Sequence, residues 1–328
     1  MKVKLTAKLM MRLKQGGWPA WFFLAVLGVG LLAPILANDR PIMASVDGEL
    51  RFPAFCEYVG DPAPGPAGKT WKRWWIEMGT EPTDTDWALM PFIPYGPFEV
   101  DLERINDGPS PPMHYLGNDD TGRDLMARLI HGAGTAVWIA LGVVILSGLI
   151  GVSLGAWSGY RGGWSDVLVQ RLIEIFLCFP ALFFVLAVLA FVGNSTLGVV
   201  LVLALVYWTS FARIVRGELL SLREREFVHC ARGLGVGPFR LVVRHLLPSA
   251  RGPILVNAAF VAASAIVVES TLSFLNIGPG LASVSWGSIL QQGRTYAYAG
   301  AWHLWFFPGL ALISTVICLH SLADRKRR

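Results

Sequence analysis

The stretch Ile175–Ala212, IFLCFPALFFVLAVLAFVGNSTLGVVLVLALVYWTSFA, runs for 38 residues without a charged side chain. A helix needs about 20 apolar residues to cross the hydrocarbon core of a bilayer, so the run is long enough to cross twice. Gly193-Asn194-Ser195 interrupts it with turn-forming residues. It therefore reads as two spans joined by a tight turn. The same signal recurs on both sides, at Trp18–Ala37, within Ala133–Tyr160, over about 253–275 and over about 301–323. Six spans are expected. The composition agrees: 54% of the 328 residues are hydrophobic and only 16% charged, where soluble domains carry about 25%.

Lys and Arg are retained on the cytoplasmic side of a membrane. Lys2, Lys4, Lys8, Arg12 and Lys14 precede the first span, eight arginines lie between Arg213 and Arg251, and the chain ends Arg325-Lys326-Arg327-Arg328. With six spans all three fall on one side. Asn38–Gly132 holds 16 Asp and Glu against 8 Lys and Arg and falls on the other. The expected plan is an all-α membrane protein. It has a cytoplasmic tail 1–17, a first helix 18–37, an external segment 38–132, a five-helix core 133–323 with a cytoplasmic loop 213–252, and a basic tail 324–328. The first span is too long, and lacks a small-residue cleavage site, for a removable signal. The basic pI of about 9.1 then reflects topology, with no nucleic-acid partner implied.

Ala63–Thr70, APGPAGKT, ends like a phosphate-binding loop. It has Ala63 where the first glycine belongs, two prolines where N–H donors are needed, and no strand before it. Its expected external position removes it from ATP. The rest of 38–112 is rich in Pro, Gly and Trp, and reads as a small irregular cap with a strand-like GELRFPAF at 48–55. Of the cysteines only Cys56 is expected outside, so no intrachain disulfide is expected.

His114–Ala133, HYLGNDDTGRDLMARLIHGA, lacks the ligand spacing of a calcium loop. Leu125, Leu129 and Ile130 recur at helical spacing while Arg123, Asp124 and Arg128 take another face, which predicts a short amphipathic helix at the outer surface, started by the turn Gly117–Gly122. In Arg223–Gly252, Phe227, Ala231 and Leu234 line one face of a short helix, Gly235 and Gly237 stop it, Pro238 opens a second helix and Pro248 ends that one. An apolar face closed by paired glycines suits a partner's groove. His229 and Cys230 are adjacent, a poor zinc pair. Glu269 lies within a span, where a carboxylate faces either a polar packing partner or a solute route. Glu174 can pair with Arg171 three residues away.

The 223–252 stretch resembles the signature loop of permease subunits of bacterial ABC importers: Glu-Ala-Ala, three residues, Gly, nine residues, then an apolar residue, any residue, Leu-Pro. Here it stands as His229-Cys230-Ala231, Gly235, and His245-Leu246-Leu247-Pro248, with His229 for Glu and Cys230 for Ala. LGNDDTGRDLMARLIHGA and ESTLSFLNIGPG are similar to two further motifs of the second permease of dipeptide, oligopeptide and nickel importers, with Asn118 for Thr and Gly134 for Arg. The external DGELRFPAF is similar to the subgroup that imports peptides and the peptide-nucleotide antibiotic microcin C.

The resemblance implies six helices of the importer-permease type in the inner membrane, non-catalytic and without cofactor or metal. It implies a homologous second permease, cytoplasmic ATPases and a periplasmic binding protein as partners. Glu226, Phe227, His229, Cys230, Ala231, Arg232, Leu234 and Gly235 would dock the ATPase. Gly117, Asp119, Gly122, Arg123 and Asp124 form the periplasmic motif, and Glu269 is the candidate route residue. The rival class is a self-contained channel or ion-coupled transporter, which would call for several intramembrane charges.

Overall fold

A computed structural model describes residues 2–55, 65, 66, 69–80, 86–280 and 283–327. Cys56 and half of the Ala63–Thr70 stretch lie outside these residues, and so do the expectations placed on them. Among the described residues four helices are long and apolar enough to cross a membrane: α3 (Leu125–Arg161), α6 (Thr196–Leu222), α9 (Arg251–Phe274) and α11 (His303–Arg327, apolar to Asp324). Helix α1 (Lys2–Leu31) is broken at Gly17, whose φ of 60° is non-helical, leaving the shorter apolar helix Gly17–Leu31. A one-turn helix, Ala33–Leu36, follows it.

The opening stretch folds differently from two straight spans. Its first half lies in α4 (Gly163–Leu177) and α5 (Ala181–Val192), bent by 85° across Cys178–Pro180. Pro180 has no N–H to continue the α4 ladder, and the 12 residues of α5 reach only about 18 Å. The expected turn is present: Gly193 ends α5 with φ 88°, and Ser195 caps α6 by accepting from the Gly198 N–H at 3.0 Å.

The amphipathic helix expected before the second span does not end. It is the first two turns of α3, which continues for 37 residues. Its polar residues turn inward instead of to water: Asp124 and Arg128 are each 3% exposed. The cap is also more regular than expected. Strands β1 (Met43–Val46), β2 (Glu49–Arg51) and β3 (Trp87–Leu89) form an antiparallel sheet in the order β2-β1-β3. Asp47 and Gly48, both at positive φ, make the two-residue hairpin turn. Helix α2 (Trp71–Thr80) covers the sheet by packing the buried Trp71 on Ala44 and Val46.

Between membrane helices there is little hydrophobic drive, so close backbone contact through small residues decides the packing. Gly151, Gly155 and Gly159, one turn apart on α3, meet α6. A Cβ on Gly151 would lie 2.3 Å from the Trp208 carbonyl oxygen, on Gly155 2.5 Å from that of Ala212, and on Gly159 2.8 Å from that of Arg216. Helix α1 crosses α3 in the same way, Gly30 against Ala133 and Gly134. Gly155→Leu should push the α3–α6 pair apart. It should lower the unfolding temperature and the yield of folded protein, with a cost of about 1–3 kcal/mol for overpacking. Gly148→Ala, whose Cβ would meet only Phe211 ring carbons at 3.9 Å, should leave both near wild type.

Candidate functional site: an exposed short helix and the polar clusters that hold the bundle

Helix α7 (Glu226–Gly233) sits between α6 and α8 (Pro238–Leu241) and makes one inward-facing turn of contact. Val228 is fully buried against Ala156, Val215, Leu219, Leu241 and Leu246. The opposite face is free: Phe227 is 44% and Leu234 86% exposed, and Glu226, His229, Cys230 and Arg232 are exposed. Ala231 departs from the expectation. It is half-buried and packs with Val228 on the bundle side, so the free apolar line is Phe227, Cys230 and Leu234, at spacings of three and four.

The end of α7 is locked. The Val236 N–H reaches the Ala231 carbonyl at 3.1 Å and the Gly235 N–H the Arg232 carbonyl at 2.9 Å, the paired bonds of a Schellman motif with Gly235 at φ 77°. Gly237 has no such role, since its φ is −63°. The Arg232 guanidinium lies 5.4 Å from the centre of the Tyr160 ring at the end of α3. Pro238 opens α8 as expected, but Pro248 does not end it. A π-turn, Val242–Leu246, shifts the hydrogen-bond register first, and helix Leu247–Ser249 leads into α9 within two residues.

Beside α7, Arg216 of α6 grips Asp166 of α4 with two bonds of 2.5 and 2.7 Å, and Ser158 of α3 donates to the same carboxylate at 2.5 Å. Three helices are tied at the point where α6 leads into α7. Arg171 and Glu174 pair at 2.5 Å on the exposed side of α4.

At the other end of α3 the Gly117–Asp124 motif is a latch. Asp119, wholly buried, accepts from the Thr121 N–H and hydroxyl and the Arg123 N–H at 2.9 Å, and from Arg123 Nε at 2.7 Å. It also pairs with Arg128, which bonds Gln292 of α10 (Trp286–Tyr296) at 2.5 Å. Asp124 caps α3 by accepting from the Ala127 N–H at 2.7 Å, and its second oxygen lies 2.8 Å from His114 Nδ1. The two glycines are required by space as well as by φ. A Cβ on Gly122 would lie 1.8 Å from the Asp101 carbonyl oxygen, and on Gly117 2.5 Å from that of Asp107. Burial raises the Asp119 carboxyl, but the Arg128 and Arg123 charges outweigh it and hold the pKa below the usual carboxylate range. Asp120 goes the other way, raised by burial and by the charge of Asp119.

Glu269 is 1% exposed and receives hydrogen bonds from Ser273 at 2.8 Å and Ser270 at 3.3 Å, with Ser285 at the cap of α10 a third partner. It is thus set among serines that join α9 to α10. Among the described residues no three His, Cys, Asp or Glu side chains gather as a metal set. Reading the sequence missed Val228, Asp166, Arg216 and Gln292. The Gly151-Gly155-Gly159 spacing could have placed Arg216 at a helix contact, whereas nothing local marks Gln292.

Residues 151–326 match the family described as binding-protein-dependent transport system inner membrane component. Over 238 residues, 72% of this chain and 78% of the relative, the chain is 36% identical to a Brucella suis protein whose name assigns it as a peptide permease. It is 32% identical over 308 residues, 86% of this chain and 80% of the relative, to the peptidoglycan transport system permease protein YejE of Agrobacterium fabrum. A chain of the inward-facing MetNI methionine ABC transporter shares 21% identity at a TM-score of 0.47, covering 61% of this chain and 95% of that one.

The latch generates a pH prediction. A lowered carboxyl pKa contributes stability that is present above the unfolded value and lost as pH falls through the folded one. Asp119→Asn should lower the unfolding temperature at neutral pH, since breaking a buried pair costs about 3–5 kcal/mol. The gap to wild type should close as pH falls below 3.8, the ordinary Asp value. Thermal unfolding of the purified protein across that range reads both effects.

Proposed function

This chain belongs to the family of binding-protein-dependent transport system inner membrane components and is a permease subunit of an ABC importer; from that we propose that it carries peptides or peptide-like solutes, with α7 as the seat of a separate ATPase. The observation that carries the reading is the construction of α7. Val228 seats its inner side on α3 and α6, Arg232 reaches over Tyr160 of α3, and the Schellman bonds close its own C-terminus, while Phe227, Cys230 and Leu234 stand free. A rigid helix with an unpartnered apolar line transmits displacement rather than absorbing it. ATP-driven movement of the partner would swing α7 and, through the Ser158–Asp166–Arg216 tie, shift the bundle between inward- and outward-facing states.

In this reading the chain performs no chemistry of its own and pairs with a homologous permease. Its basic termini and α7 lie in the cytoplasm. The latch and cap lie on the periplasmic side, where a binding protein delivers solute. The peptide assignment is supported by the names of the relatives and by the cap, part of which falls within the longer YejE match.

Gly235→Val tests it. No atom lies within 4 Å of a Cβ at Gly235, so the chain itself has room, but a β-branched residue at positive φ is strained by about 1–2 kcal/mol. The variant should insert and pair normally yet lose ATPase association and transport. Gly237→Ala should behave as wild type. Transport by Gly235→Val at the wild-type rate would contradict the reading.

A further inference from the structure

At the end of α3 remote from the latch, a trough runs between α3 and the segment made of α8 and the π-turn Val242–Leu246. Val152 and Ala156 of α3 line one side of it, and Val242, Val243 and Leu247 line the other. Trp157, Tyr160 and Arg161 line it where α3 ends. A second hollow shares Trp157 and Arg161 and adds Trp164 and Leu168 of α4. Gly162 and Gly163, at φ 65° and 58°, make the turn that brings Trp164 to the same hollow as Arg161.

Arg161 is the one charged side chain that lines either hollow. It is exposed and, among the described residues, has no ion-pair partner. Asp166 and Glu224, on the neighbouring α4 and just past α6, are engaged by Arg216 and Arg223. Arg240 and Arg244, which adjoin Phe239 and Val243 of the lining, are exposed and unpaired as well. The site therefore carries a surplus of positive charge over an apolar trough. Indole rings favour the headgroup level of a bilayer, and Trp157 and Trp164 are 43% and 88% exposed. They put Arg161 at that level and the trough below it. From Arg161 down to Val152 is nine residues, about 14 Å of helix. One leaflet of the hydrocarbon core is about 15 Å deep, so the trough has the reach of an acyl chain.

We propose that this is a binding site for one anionic phospholipid of the surrounding leaflet, with its phosphate on Arg161 beside Trp157 and Trp164 and one acyl chain in the trough between α3 and α8. A phospholipid supplies the anion and the chain in a single molecule. A zwitterionic lipid brings its own cation and gains nothing from Arg240 and Arg244, so the site prefers a net negative headgroup. The proposal rests on the reading that places α7 in the cytoplasm, which makes the leaflet the inner one. The lipid also lies against the drive, because the Tyr160 ring of the trough is the one that Arg232 of α7 covers.

The test uses the complete transporter, purified in detergent with its partner permease and ATPases, and titrated with phosphatidylglycerol or phosphatidylcholine. Native mass spectrometry counts the lipids retained. Phosphatidylglycerol should be retained at concentrations at least about fivefold lower than phosphatidylcholine, the preference that one arginine near an anionic lipid contributes. Arg161→Ser should abolish that preference and Arg161→Lys should keep part of it. Val243→Trp, at a site 47% exposed, should fill the trough and remove the retained lipid from an assembled transporter. Equal retention of the two lipids by the wild type would overturn the proposal. So would phosphatidylglycerol retention that neither Arg161→Ser nor Val243→Trp reduces. A protein occupant is read separately, with Cys56, Cys178, Cys230 and Cys318 replaced by alanine and Ser153→Cys in the trough. Short-range cross-linking of that thiol to the partner permease or an ATPase would also overturn the proposal. Labelling of Trp164→Cys from outside intact cells would instead remove the cytoplasmic placement of α7, and with it the leaflet named here.

Discussion

The contact between the backbones of α3 and α6 is the constraint on which the rest of the bundle depends. At Gly151, Gly155 and Gly159 there is no room for a single carbon atom between the two helices. In lipid, where Leu against Leu gains little over Leu against an acyl chain, such contacts supply dispersion and directional fit. The pair sets the position of Arg216, and so of its double bond to Asp166. It also sets the floor of Ala156, Val215 and Leu219 onto which Val228 closes.

At 37 residues, α3 is about 55 Å long, and its two ends are built for different tasks. One end is immobilised by buried charge: Asp119, Arg123, Arg128 and Gln292 tie the loop, α3 and α10 together, and the Asp124 cap starts the helix. Removing Asp119 leaves Arg128 as an uncompensated charge in a dry site. The other end carries α7, which touches the bundle through one buried valine, one half-buried alanine and a cation over an aromatic ring.

The long runs of α6, α9 and α11 were legible in the sequence because about 20 predominantly apolar residues leave few alternatives. So were the Gly193–Ser195 turn and the stop at Gly235, where local chemistry decides. The bend at Cys178–Pro180 was not, since the run of 38 reads as apolar throughout and only the geometry shows that α5 is short. The inward turn of Arg128 was misread for a related reason. Helical spacing identifies a polar face, but whether that face meets water or Asp119 and Gln292 is settled by residues up to 164 positions away. Ala231 was placed on the free face of α7, when the buried Val228 rotates that face toward Cys230.

We propose that the free line of Phe227, Cys230 and Leu234 is the surface on which the ATPase sits. Cys230 is exposed and provides a native reporter on that line. With the other cysteines replaced, its rate of reaction with a small hydrophilic maleimide should be measured in the permease pair alone and in the complete transporter. Fast reaction is expected in the pair, and strong protection once the ATPases are bound. An equal rate in both would place the ATPase elsewhere and contradict the claim.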